Sequence, residues 1–235
     1  MKKTALLLAA LLTTGASLSA DDAMTAPASS YTVTMDFPYA SKYVFRGVQF
    51  AEGSFQPSIK ITSGPAYSGI WTNQPVTSNI DNEIDFYAGY GFEVAKGWSL
   101  DVGATLYYYP ELDDSTGLDN NTFEGYVGIN GTIGGGVTVG LYAYNDFTLD
   151  AFTLQGNFGY SLPIDDKFSC NLSANIGHVS PDAGSDYSYY GVAAQFPYKL
   201  TNTATLTGGV NWASHDISGL DDNHLWFNLG LTVTF

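Results

Sequence analysis

The chain has one cysteine, Cys170, so no internal disulfide can staple it. Positive charge is also scarce. Against 23 Asp+Glu stand only 8 Lys+Arg, a formal net charge of -15 that repels nucleic acid and anionic surfaces. Charged residues of both signs make up just 13% of the chain, too few for a solvated acidic tail. No apolar run, the one from Ala5 to Leu12 included, is long enough for a membrane-spanning helix, and beyond it no helical period is sustained. What is plentiful is aromatic side chain, 15% of residues, together with 26 glycines. That balance suits a β-barrel with an apolar outside and a crowded interior. The lone thiol is expected at a lipid-facing strand position.

Lys2 and Lys3 precede an apolar run from Ala5 to Leu12 and then small residues up to Ala20, the layout of a secretory signal. Residues 1–20 are therefore assigned as a signal peptide, 21–30 as a flexible periplasmic segment and 31–235 as the folded unit. Without Lys2 and Lys3 the mature chain is more acidic still.

From residue 31 onward, stretches of period two alternate with turn signals, the pattern of antiparallel strands. Twelve strands are expected, at about 31–47, 54–63, 66–74, 82–94, 98–109, 122–133, 137–146, 151–161, 168–178, 187–196, 203–213 and 223–235. Their number is even, as single-chain bacterial outer-membrane barrels require. The cleanest apolar faces are Ile84 to Val94, Trp98 to Tyr108, Val137 to Ala143 and Leu225 to Phe235, each taken at every second residue. These should face lipid, while the facing of the third strand is ambiguous. The fold class is thus all-β, a transmembrane antiparallel barrel of about twelve strands in the bacterial outer membrane.

Tight links at Gly64-Pro65-Ala66, Ala95-Lys96-Gly97 and Gly134-Gly135-Gly136 alternate with longer ones such as 110–121 and 214–222. Short turns belong to the periplasmic side and long loops to the outside. Acidic residues including Glu111, Asp113, Asp114, Asp182, Asp216 and Asp222 then lie outside. Trp98, Phe168, Phe196 and Phe235 gather at the inner rim, where interfacial aromatics belong. A soluble two-sheet sandwich does not predict that asymmetry. The ending, with Asn228, Gly230, Val233 and Phe235, has the form of an outer-membrane assembly signal. The partners it implies are the barrel assembly machinery, outer-membrane lipid and lipopolysaccharide.

Twelve tilted strands give a backbone diameter of about 24 Å and a bore of at most about 10 Å, passable only by small solutes. Tyr107, Tyr109, Tyr126, Tyr142 and Tyr144 point inward by parity and should narrow it further. Parity also places Lys42, Arg46 and Lys60 on one lumenal wall, with Glu83, Asp85, Glu93, Asp101 and Glu124 on another. Opposed charges across a wet constriction filter ions and orient dipolar solutes, so a porin-like channel for small polar solutes is the leading reading. The alternative is that these charges pair and plug a structural or adhesion-type barrel acting through its acidic loops.

The first strand carries a further signal. Ser41-Lys42-Tyr43-Val44-Phe45-Arg46-Gly47-Val48, with Gln56-Pro57-Ser58 opening the next strand, resembles the Tyr-Val-Phe-Arg-Gly segment of the TorF-like family of bacterial outer-membrane porins. The resemblance implies a small porin barrel without a defined substrate.

Enzymatic and metal chemistry leave weaker traces. His178 and Ser180 share one face of a strand, the spacing of a phospholipase-type nucleophile and base, but Pro181 follows directly and no orienting Asn is evident. The chain is expected not to be an enzyme. His215-Asp216 and Asp221-Asp222-Asn223-His224 flank the last loop without the spacing of an EF-hand or zinc site. The glycines 134–136 lack the following helix that would cradle a phosphate. No metal and no cofactor are expected.

Overall fold

The computed structural model describes residues 31–77, 81–112 and 119–235. The proposed signal, the segment 21–30 and the acidic pair Asp113 and Asp114 lie outside the described residues. Alternation of side chains along the sequence becomes strand after strand: β1 (Thr32–Phe45), β2 (Val48–Phe55), β3 (Ser58–Ser63), β4 (Ala66–Pro75), β5 (Glu83–Ala95), β6 (Trp98–Tyr108) and β7 (Asn121–Gly134). They continue as β8 (Val137–Asp146), β9 (Ala151–Pro163), β10 (Ser169–Pro181), β11 (Tyr187–Lys199), β12 (Ala204–His215) and β13 (Asn223–Thr234). Consecutive strands pair antiparallel, with the exception of β2 and β3.

The sheet closes on itself. β1 pairs with β13 from Thr34↔Thr234 to Ala40↔Asn228, and Val33 and Phe235 exchange backbone hydrogen bonds of 3.1 and 2.8 Å. A closed ladder leaves no edge to satisfy in an apolar medium. Thirteen segments make twelve strand positions, because β2 and β3 are two halves of one strand. The lower half of β1 pairs with β3 and its upper half with β2. The break falls at Gln56-Pro57, where proline cannot donate to the ladder.

The outward parity is apolar and exposed. Leu225, Phe227 and Leu229 on β13 are 54%, 57% and 56% exposed, an outer surface that only lipid can cover without cost. On β4, Ile70 faces out and Trp71 is buried inside, which fixes the facing left ambiguous by the sequence. Cys170 shares the outward parity of Leu172 and Ile176. Near the rim that carries the start of β1 and the end of β13, here the terminal rim, the Phe168 and Phe196 rings stack at 6.4 Å.

Two links depart from the expected alternation of short and long. The chain reverses after β1 in a two-residue turn, Arg46-Gly47, with φ of 44° and 83°, so residues 48–53 are strand and not loop. Positive φ at both central residues matches the twist of a hairpin, which is why the sequence spends a glycine there. The link between β8 and β9 is short too, closed by Asp146 Oδ1 accepting from the backbone N–H groups of Thr148 and Leu149 at 2.9 and 2.8 Å.

Candidate functional site

The upper β1–β2 hairpin leaves the wall and enters the barrel. β1 stops pairing with β13 at Ala40, and β2 pairs with β4 only at Ser54 and Phe55, so beyond the bonds at its base, from Phe227 N–H to Ser41 Oγ at 3.0 Å and from Val76 N–H to the Gly53 carbonyl at 2.8 Å, the hairpin has no backbone ladder except its own. Its tip reaches β11 and β12: a Cβ on Gly47 would sit 2.8 Å from the Ser214 carbonyl oxygen and 2.9 Å from Tyr189 Cβ. No side chain larger than hydrogen fits at that approach.

Inside, the hairpin gathers the largest apolar cluster among the described residues. Tyr43, Phe45 and Ala51 pack with Trp71, Val179, Tyr187 and Tyr189, all buried. The Tyr43 ring lies 5.7 Å from Phe50 and 5.5 Å from Trp71. Burial of each aromatic ring contributes about 2 kcal/mol toward keeping the hairpin inserted.

Arg46 locks the tip to the opposite wall. Its guanidinium donates to Glu124 Oε1 on β7 at 2.9 Å, forms an ion pair with Oε2 at 2.9 Å, and lies 4.9 Å from the ring centre of Tyr144 on β8. Glu124 also accepts from the Tyr107 hydroxyl at 3.0 Å. A guanidinium is charged at every accessible pH, so the cation is permanent and the adjoining Glu124 carboxylate is its counter-charge. Glu83 and Asp85 on β5 are buried in the same layer. The expected arrangement of basic and acidic walls facing each other across water is therefore corrected at this level: Arg46 is in contact with Glu124. The hairpin brings the charges together because it crosses the bore instead of lining it.

Toward the terminal rim the interior changes character. Asp101 on β6 accepts from the Tyr67 hydroxyl at 2.7 Å, and Asn130 Nδ2 donates to the Tyr142 hydroxyl at 3.0 Å. The hydroxyls of Tyr67 and Tyr126 are hydrogen-bonded to each other, and Lys60 Nζ stands 5.0 Å over the Tyr67 ring. Glu93 is exposed at the rim, where it accepts from the Gly97 N–H at 3.1 Å and closes a turn. Lys42 lies on the hairpin, paired in register with Glu52.

These tyrosines do not stand into the bore. Tyr126 lies over Gly103, Tyr142 over Gly128, Tyr67 over Gly89 and Tyr87 over Gly69, each ring occupying the place a Cβ on the neighbouring strand would take. Glycine lets the ring fold flat against the wall, and Tyr126 and Tyr142 take that position. Tyr107 and Tyr109 are buried at the hairpin level instead. Gly128→Val is expected to lift the Tyr142 ring into the bore and at least halve the single-channel conductance, with folding retained on unboiled gels. An unchanged conductance would show that the ring had another place to go.

Among the other expected positions, His178 and Ser180 do not meet. His178 Nδ1 lies 3.1 Å from Ser188 Oγ and its Nε2 3.5 Å from Asp186 Oδ2, which accepts from Ser180 Oγ at 3.2 Å, so the two side chains share a carboxylate and do not touch each other. His215 and His224 are buried with ring centres 6.1 Å apart. Among the described residues no three His, Cys, Asp or Glu side chains gather into a metal-holding group. Val233 and Phe235 follow the outward parity of β13, and Gly230 packs against Pro38 across the closing seam.

Asn228 turns inward into a network that parity alone did not single out. Gln195 Nε2 donates to Asn211 at 2.9 Å and Asn228 at 3.2 Å, Asn211 Nδ2 donates to Asn228 at 2.7 Å, and Asn228 Nδ2 returns a bond to Gln195 at 3.0 Å. The sequence did hold a sign of it, since β9 to β13 contain no Asp, Glu or Arg and a single Lys, Lys199, near the rim.

Solved barrels share this architecture. A KdgM porin in complex with disordered oligogalacturonate matches with a TM-score of 0.58 at 12% identity, over 87% of this chain and 99% of that one. The NanC porin matches with a TM-score of 0.57 at 11% identity, over 86% and 98% of the two chains. At such identities the likeness is one of fold: a closed, twelve-strand, outer-membrane porin type of barrel. No curated protein matches in sequence. Residues 24–235 match the model of a family described as a bacterial protein of unknown function (Gcw_chp), and the chain belongs to that family.

Proposed function

We propose that the protein is a porin-like channel of the bacterial outer membrane that passes small polar solutes or ions by diffusion, as the TorF-like motif of its first strand also suggests. One observation carries this reading: between the hairpin and the terminal rim the inside of the barrel carries hydrogen-bonded polar side chains while its outside is apolar. The terminal rim then faces the periplasm and the far rim the exterior, with lipid and lipopolysaccharide around the barrel and the C-terminal strand as the handle for assembly. The inserted hairpin is the constriction.

The same hairpin favours a second reading, a plugged barrel that acts through its acidic loops. Planar-bilayer recordings separate the two. Stepwise conductance from purified protein, changed by Asp101→Asn, is the expected result; silence from a correctly inserted barrel would favour the plug. We further propose that the barrel has no hydrolase activity, and phospholipid hydrolysis abolished by Ser180→Ala would overturn that.

A further inference from the structure

We propose that the lumen holds a binding site for uncharged oligosaccharides, built on β11 to β13 from Trp226 and the amides of Gln195, Asn211 and Asn228. Trp226 alternates with the exposed Leu225 and Phe227 and so faces inward, and it is the cross-strand partner of Asn211. The three amides hold one another in place by four hydrogen bonds of 2.7 to 3.2 Å, yet remain only partly buried. Fixed amides beside an indole are what a pyranose asks of a protein. Its apolar C–H face rests on the ring, and neighbouring hydroxyls each give and take a hydrogen bond at a carboxamide. Because the amides are already oriented, little side-chain entropy is lost when the sugar arrives.

Charge selects the class of sugar. No acidic or arginine side chain occurs anywhere on β9 to β13, and their one lysine is Lys199 near the terminal rim. In the strand order, β11 to β13 lie opposite β5 to β7, whose inward groups include Asp101. A sugar acid would meet a carboxylate across the bore and no guanidinium beside the amides, so it is disfavoured. A neutral sugar loses nothing.

The site rests on the channel reading, but binding can be measured without conduction. Tryptophan fluorescence of the full refolded barrel in detergent is titrated with maltohexaose and cellohexaose, with trigalacturonate as the charged comparison. To isolate the reporter, Trp71, Trp98 and Trp212 are each replaced by Phe. A saturable change with at least one neutral sugar is expected, weakened about tenfold or more in Asn211→Ala/Asn228→Ala, since each lost sugar hydrogen bond is worth about a tenfold change. Trigalacturonate should bind at least tenfold more weakly than the neutral sugar. No response to either neutral sugar, a response unaffected by the double variant, or tighter binding of trigalacturonate would each overturn the proposal. Conductance with no sugar response would sink the site and leave the channel standing.

Discussion

Arg46→Ala is expected to raise the single-channel conductance about twofold or more and to loosen the far rim. The guanidinium is what joins the hairpin tip to the opposite wall, through Glu124 at 2.9 Å and the Tyr144 face. Removing it leaves the Glu124 carboxylate buried without its counter-charge, in a layer that also holds Glu83 and Asp85. Breaking a buried pair from one side costs about 3–5 kcal/mol. The apolar packing of Tyr43 and Phe45 contributes a comparable amount on the other side, so the hairpin is expected to populate withdrawn states without unfolding the barrel. Glu124→Gln tests the same pair from the wall. The double variant Arg46→Ala/Glu124→Gln should be less destabilised than the two single losses added together, because it leaves no charge stranded. Conductance in all three variants equal to that of the parent would mean that the hairpin is a fixed part of the wall.

The second large effect concerns closure. Gly230→Val should abolish most of the folded, heat-modifiable species on unboiled gels. Gly230 pairs with Pro38 across the β1–β13 seam, and a Cβ there would lie 2.9 Å from both Pro38 Cα and Cβ. Real side chains do not approach so closely, and a proline ring fixed in the backbone cannot yield. Overpacking of this kind costs about 1–3 kcal/mol in a core. Here it also falls on the one pairing that converts an open sheet into a barrel, and an unclosed sheet leaves two edges unsatisfied in lipid. Gly208→Val is the matched comparison: it sits on β12, where the nearest atom to its Cβ is 4.0 Å away, and should fold normally. Equal folding of the two variants would show that the seam tolerates a side chain and that Gly230 serves recognition alone.

Much of the candidate site was legible in residue parity. Alternation placed Glu83, Asp85, Asp101, Glu124, Tyr126 and Tyr142 inside and the rows from Ile84, Trp98 and Leu225 outside, because a strand offers two faces and only two. Parity says nothing about depth. It could not distinguish Tyr142, lying flat over Gly128, from a ring projecting into the bore, since that depends on which residue the neighbouring strand brings alongside. Nor could it find the amide network, whose three members come from three strands and meet only in register.

The alternating sequence, by itself, determined that this chain forms a barrel with a polar inside, an apolar outside and a last strand made to pair. Those properties follow from local periodicity and from the demand that every backbone group be bonded. Parity turned Lys42 and Arg46 toward the lumen, but the tertiary structure alone decided that residues 42–52 leave the wall and cross the lumen. Arg46-Gly47 looks like any hairpin turn, and the residues that draw it inward, Glu124, Tyr144, Tyr189 and Ser214, stand far along the chain. Local pattern carries no record of contacts formed across a closed barrel, and here those contacts set the width of the mouth.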